Sequence, residues 1–343
     1  MTDDILLQIN NLTVEFHMFE GIVKAVDNLS LSIKKNRVMG IIGESGSGKS
    51  VTAQSILRIV PTPPGKTSSG EILFRLNEGK GEKVVNILSM HPQSAEIRKI
   101  RGKEISMIFQ EPMTSFGPLD TIGKQITEVI ATHEPGVSRE DARKRAVDLL
   151  SDVGIPRAEK VVDDYPHQLS GGMRQRAMIA MGLICRPRLL LADEPSTALD
   201  VTVQAQILSL LRELQVSYNM SMIYITHNLA VVSEIADDIT VMYLGNMCES
   251  GDVDTIVRHP LHPYTQALWK SIPVMVGEIT RLEPIAGTMP SMSEIPRGCV
   301  FCTRCEQVIK GLCDGDQRPQ AFEVEPGHWV RCYRYQKPEG RGI

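Results

Sequence analysis

Residues 43 to 50 read GESGSGKS, which fits the pattern G-x-x-x-x-G-K-[ST] of a loop that cradles phosphates. The chemistry follows from the residue types. Gly43, Gly46 and Gly48 permit backbone angles and close approach that a Cβ would block, so backbone N–H groups of this loop, which also holds Glu44, Ser45 and Ser47, can surround one anion site. Lys49 supplies a point charge for β- and γ-phosphates, and the Ser50 hydroxyl is a ligand for Mg²⁺. The apolar run Val38 to Ile42 predicts a strand entering the loop, and Lys49 to Val60 predicts a helix leaving it. Such a helix turns its positive end toward the same anion site.

A second set of groups supplies acid–base chemistry. Leu189, Leu190, Leu191 and Ala192 form a continuous apolar run, as expected of a central parallel strand covered on both faces. The run ends in Asp193 and Glu194, placing two carboxylates where ligands of open α/β sheets sit. Asp193 is the expected Mg²⁺ partner through the metal's water shell. Glu194 is the candidate general base for an attacking water. Gln110 closes another apolar run, Ile105 to Phe109, and His227 follows the run Met222 to Thr226. Leu169 to Met173 read LSGGM: Ser170 opens a helix whose first turn, with Gly171 and Gly172, offers unblocked backbone donors. That is a second anion-binding helix start in a chain that already has a complete phosphate cradle.

Taken in order, GESGSGKS, LSGGMRQR, LLLADEP and ITH resemble the motifs of the nucleotide-binding subunit of an ABC transporter, over about residues 5 to 335. The resemblance implies ATP binding and hydrolysis on a P-loop α/β fold, with an antiparallel β-subdomain and a helical subdomain. It assigns Gln110 to a loop that touches the metal and attacking water and faces the membrane subunits. It makes His227 the switch histidine that contacts the γ-phosphate, although a lone histidine at a strand end is more often structural. It places Asp200 in the loop joining two ATP sites across a dimer. Leu169, Ser170, Gly171, Gly172 and Met173 become the signature that closes on the ATP of the opposite subunit; Met173 stands where the family usually has Gln. Residues 5–33 and 68–88 alternate like strands and match the sheet that covers the base, so Phe16 or Phe19 could stack on adenine. Residues 114–168 are helix-rich, with Ser138 to Asp141 in the form of a capping box, and the helical subdomain is expected at about 114–186.

Composition bounds the remaining choices. The chain has 343 residues with 42% hydrophobic content, typical of a soluble globular protein large enough for more than one domain. A formal charge of −4 gives no sign of a surface for nucleic acid. Met1 to Asp4 is acidic rather than a basic leader, and no apolar run reaches the roughly 18 residues that span a bilayer. Membrane association is therefore expected through partners, and the resemblance implies a peripheral place at the cytoplasmic face of the inner membrane.

The tail is the most selective region. HPLHPYTQALWKSIP, from His259 to Pro273, and the later IPRGCVFCTRC resemble the ATPases of the oligopeptide, dipeptide and nickel importers. The expected division is an ABC domain over 1–250 and an extension over 251–343. His259 and His262 could be metal ligands, but loop and cap roles suit them better; Pro263 fits a helix first turn. Cys185 and Cys248 lie in apolar segments and read as buried thiols. Cys299, Cys302, Cys305, Cys313 and Cys332 crowd into the tail and point to metal, zinc or iron–sulfur, with a tail free of metal as the third alternative. The resemblance selects a [4Fe–4S] cluster on Cys299, Cys305, Cys313 and Cys332, leaving Cys302 outside. It also implies the partners: two transmembrane permeases, an extracytoplasmic solute-binding protein, and a second ATPase, with a heterodimer favoured. Peptides are the expected solute, oligosaccharides and nickel the alternatives. A soluble ABC ATPase acting on nucleic acid or ribosomes is disfavoured by the absence of a coiled coil and by the importer-type tail. Loss of tail ligands is expected to leave ATP binding intact, because the phosphate loop lies far upstream in what reads as a separately folded sheet.

Overall fold

Strands form where apolar residues run without interruption or alternate. In chain order they are β1 (Ile5–Met18), β2 (Gly21–Lys34), β3 (Val38–Ile42), β4 (Gly65–Glu78), β5 (Gly81–Asn86), β6 (Ile105–Ile108), β7 (Leu189–Asp193), β8 (Ser221–Thr226), β9 (Asp238–Tyr243), β10 (Asn246–Asp252), β11 (Phe322–Glu325) and β12 (His328–Val330). The computed structural model describes residues 1–78, 81–110, 116–196, 200–271, 285–291 and 294–336. Its chain divides into two units, one of Met1–Leu6, Ile33–Val38 and Phe74–Ile225, the other of Leu7–Ser32, Met39–Leu73 and Thr226–Ile343.

In the first unit β6, β7 and β8 pair in parallel, with Ile105 opposite Leu189 and Leu189 opposite Ser221. Every residue of β7 and β8 is buried, which is why these strands read as continuous rather than alternating runs. The helices of this unit are Ile122–His133, Arg139–Asp152, Ala158–Val161, Gly171–Leu183 and Val201–Ser217, besides the short Ala95–Ile100. Ile122, Ile126 and Ile130 repeat every four residues and are buried, giving the first of these one apolar face. Ser138 caps the next, its side chain accepting from Asp141 N at 3.1 Å, as the capping-box pattern predicts. Arg145 ties this helical region together: it donates to both oxygens of Glu134 (2.7 and 3.1 Å) and to the Ile184 carbonyl at 2.9 Å.

In the second unit β1 and β2 form a hairpin, and β3 enters the phosphate loop ahead of helix Lys49–Ile56. β3 pairs in parallel with β9, β9 antiparallel with β10, β10 with β12, and β12 with β11. The tail strands therefore extend the same sheet that holds the phosphate-loop strand, rather than forming a sheet of their own. One carboxylate fastens this arrangement. Glu249, fully buried on β10, accepts from Leu261 N (2.8 Å) and His262 N (2.9 Å) and hydrogen-bonds His328 Nε2 at 2.8 Å. Tyr243, Tyr264 and Phe301 pack against one another as a buried aromatic group with ring centroids 4.7 to 5.3 Å apart. Among the described residues no helix is long and apolar enough to cross a membrane.

Candidate functional site

The phosphate loop is built in the second unit. Gly48 has φ 95° and a Cβ there would lie 2.3 Å from the Ala25 carbonyl; a Cβ at Gly43 would lie 2.1 Å from the Met242 carbonyl. Neither position accepts a side chain. Lys49 is 5% exposed, and its Nζ donates to the Gly43 and Glu44 carbonyls (2.8 and 3.0 Å) and to Ser47 Oγ at 3.4 Å. The ammonium thus reaches neutral acceptors of its own loop, and a phosphate oxygen can replace one of them with a charge-assisted bond. Ser47 is buried, Ser50 half-buried in the first helical turn, and Ser45 and Gly46 exposed. Oxygen donors of this kind suit Mg²⁺.

Glu44 is gripped from two sides. Its N–H donates to Tyr264 Oη at 3.0 Å, and its carboxylate pairs with Arg304, whose Nη1 lies 3.0 Å from each oxygen. Tyr264 and Arg304 are site residues that sequence reading passed over; nothing in the spacing of the tail links them to residue 44. Phe16 is half-buried, its ring 3.3 Å from where a Gly65 Cβ would stand, whereas Phe19 is fully exposed at the hairpin turn. His227 lies exposed just beyond β8.

The acid–base groups stand in the first unit. Asp193 ends β7 and is 5% exposed. Glu194 follows in the left-handed region, φ 46°, with its N–H donating to the Ile225 carbonyl at 2.9 Å. A non-glycine residue there is strained, a feature that gathers at functional positions. Gln110 Nε2 donates to Glu194 Oε2 at 3.2 Å, so two residues 84 apart in sequence meet. Ser170 caps helix Gly171–Leu183, its Oγ accepting from Met173 N at 3.3 Å, and both Ser170 and Gly171 are exposed. Leu169 is buried behind them, Gly172 and Met173 partly so. Asp200 caps helix Val201–Ser217 by accepting from Val203 N at 3.0 Å; residues 197–199 before it lie outside the described residues, as do 111–115 after Gln110.

In the tail, His262 is a cap: its Nδ1 accepts from Tyr264 N at 3.0 Å at the start of helix Pro263–Lys270. Burial holds its pKa down at about 4. Cys299, Cys313 and Cys332 are buried, and Cys302 and Cys305 partly exposed. Cys299 N donates to the Cys313 carbonyl (2.8 Å), Cys302 N to that of Cys299 (3.1 Å), and Ile309 N to Cys313 Sγ (3.3 Å). Burial pushes the Cys299 thiol up to about 12, with the neighbouring sulfurs of Cys313, Cys332 and Cys302 adding to the rise. The donor chemistry is right for iron or zinc. The geometry is not that of a formed site: among the described residues no three His, Cys, Asp or Glu side chains are grouped to hold a metal ion. Cys185 and Cys248 are buried thiols, the first raised to about 11 by burial.

The ABC transporter family profile matches residues 26–197, and the profile of the oligopeptide/dipeptide transporter C-terminal region matches residues 248–313. The chain belongs to the ABC transporter family and is an ATPase of that class. It is 47% identical over 331 residues to the oligopeptide transport ATP-binding protein OppD of Bacillus subtilis (strain 168), covering 96% of this chain and 88% of that protein. It is 44% identical to the dipeptide transport ATP-binding protein DppD of Lactococcus lactis subsp. cremoris (strain MG1363), covering 97% of this chain and 92% of that one. A dimeric ATP-binding cassette solved in a post-hydrolysis state with ADP and Pi superposes with a TM-score of 0.62 at 27% identity, covering 72% of this chain and 99% of that one.

Proposed function

We propose that this chain powers a binding-protein-dependent importer of oligopeptides or dipeptides. The observation that carries the solute class is the tail, which matches the oligopeptide/dipeptide transporter region and is retained in relatives named for those solutes. In this reading Gly43 to Ser50 hold the phosphates of ATP, and Ser50, Gln110 and Asp193 hold Mg²⁺, which supplies neutralising charge. Glu194 takes the proton of the attacking water, Gln110 orients that water, and His227 senses the terminal phosphate. The contact between Gln110 and Glu194 supports this pairing. Phe16 is the better candidate for the adenine ring, since its half-buried edge is held while Phe19 stands free of the fold. Leu169 to Met173 act on the ATP of a second ATPase subunit, a related chain rather than a copy, with Asp200 in the joint.

The ABC domain is assigned to 1–250 with its helical subdomain at about 114–186, and the importer-type extension to 251–343. Two permease subunits and an extracytoplasmic binding protein complete the assembly, with this chain peripheral at the cytoplasmic face of the membrane. For the tail we infer a structural [4Fe–4S] cluster on Cys299, Cys305, Cys313 and Cys332, a ligand set that rests on the importer-family resemblance alone, since among the described residues no three such side chains are grouped to hold a metal. No step of the ATP cycle runs through it.

Reconstitution with the permeases and binding protein in proteoliposomes tests the solute. Peptide-loaded binding protein is expected to raise ATP hydrolysis several-fold over unloaded protein. Stimulation by nickel or an oligosaccharide instead of peptides would replace the solute and keep the engine.

A further inference from the structure

We propose that Arg304 is a positioning residue of the phosphate loop, through which the cysteine-rich tail sets how tightly that loop holds ATP. The inference rests on the reading of residues 43–50 as the phosphate loop. Glu44 brings a carboxylate into a loop whose task is to attract a polyanion. Left uncompensated, that charge opposes the phosphates. Arg304 removes the difficulty: its Nη1 lies 3.0 Å from both Glu44 oxygens and also donates to Tyr243 Oη at 3.2 Å. The Arg304 side chain is 5% exposed and that of Glu44 27%, so water screens this pair only in part.

The guanidinium has almost no freedom to be elsewhere. Its Nε donates to the Ala286 carbonyl at 3.0 Å, and its Cζ lies 5.8 Å from the Tyr243 ring centre and 6.0 Å from that of Phe301. The backbone of Arg304 closes a short turn, Cys302–Arg304, with its N–H on the Phe301 carbonyl at 3.0 Å. Arg304 therefore stands between two tail cysteines, and whatever moves that turn moves the counter-charge of Glu44. Tyr264 adds an independent second tether by accepting the Glu44 N–H. Both the backbone and the side chain of one phosphate-loop residue are fixed by residues more than two hundred positions later.

The test is a charge-compensation cycle on the full chain, reading the Kd for Mg-ATP by displacement of a fluorescent ATP analogue, and KM and kcat in the assembled transporter. Arg304→Gln is expected to weaken ATP binding about tenfold, with the loss in KM rather than kcat, because the Glu44 charge is left unpaired. Adding Glu44→Gln should restore Kd to within about threefold of the original chain. A merely structural role for Arg304 predicts no such rescue, since removing Glu44 does nothing for a damaged tail. Arg304→Lys keeps the charge without the fixed fork and should fall between the two, relieved in the same way; it serves if Arg304→Gln does not fold. Unchanged ATP binding in Arg304→Gln, or a loss that Glu44→Gln leaves in place, overturns the proposal. Lys49→Ala is the comparator: normal ATP affinity in that variant would remove the phosphate-loop reading itself, and the proposal with it.

Discussion

Glu194 shows how much a single residue can reveal once its backbone is known. Its position after an apolar strand marks it as the candidate base, but its strained φ of 46° and its bond from Gln110 are invisible in sequence. Both arise from tertiary packing of separate strand ends, which local patterning does not encode. Glu194→Gln is expected to keep ATP affinity within about threefold while lowering steady-state hydrolysis at least a hundredfold, because an amide cannot accept the water's proton. Phosphate release and equilibrium ATP binding, measured side by side in the assembled complex, check this. Near-normal turnover would remove Glu194 from the base role. The phosphate loop was legible for a different reason: its glycines, lysine and serine are required by local geometry, so eight consecutive residues carry the whole signal.

Helix starts carry the chemistry at the next scale. Ser138, Ser170 and Pro263 all stand where capping preferences place them, and the sequence was sufficient to find them. Ser170 and Gly171 are exposed, and the proposed action on a second subunit's ATP depends on their being so. Ser170→Arg is expected to reduce hydrolysis in the assembled pair more than tenfold while leaving this chain's own ATP binding unchanged, since the bulk and charge fill only the second cradle. Full activity of an isolated monomer carrying the change would contradict a shared site. His262 adds a pH dependence to the element it caps. Its folded pKa is depressed to about 4 by burial, so between pH 6.5 and about 4 the unfolded chain binds a proton that the folded chain refuses. Stability from this group is full above pH 6.5 and is lost as pH falls through that window, by about 3 kcal/mol in all. His262→Asn, which retains a cap, should flatten the dependence in urea melts across that range.

At the scale of the whole molecule, the structure adds contacts to what the sequence sets apart. The importer-type motifs and clustered cysteines read as a separate tail, and loss of its ligands was expected to spare ATP binding. In the structure β12 pairs with β10, and Arg304 reaches Glu44. Long-range strand pairing and a single ion pair leave no periodic trace, so no reading of spacing could find them. The metal expectation remains a matter for chemistry. Anaerobically purified protein should carry about four iron and four sulfide per chain. Serine at Cys299, Cys305, Cys313 or Cys332 should bleach it, and Cys302→Ser should leave the brown absorbance. A colourless protein with one zinc, or a requirement for Cys302 with Cys332 dispensable, would change the ligand set. The joined tail adds an expectation of its own: bleached variants should also bind ATP more weakly, wherever the turn at Cys302–Arg304 loosens.

Glu249 carries a consequence for how the chain is made. It is fully buried, and the last of its three partners, His328, lies 79 residues downstream. Until the ribosome has delivered that histidine, a charge destined for the interior lacks one of its bonds and the edge of β10 stands open. A chain interrupted before residue 328 keeps its nucleotide motifs, yet leaves this carboxylate short of a partner, at a cost of about 1–3 kcal/mol. Delivery of residue 328 is thereby written into stability. Chains ending at residue 326 should disappear faster than full-length chains in a pulse-chase experiment, because a quality-control protease samples the opened form more often. Equal lifetimes would show that the cell does not read this bond.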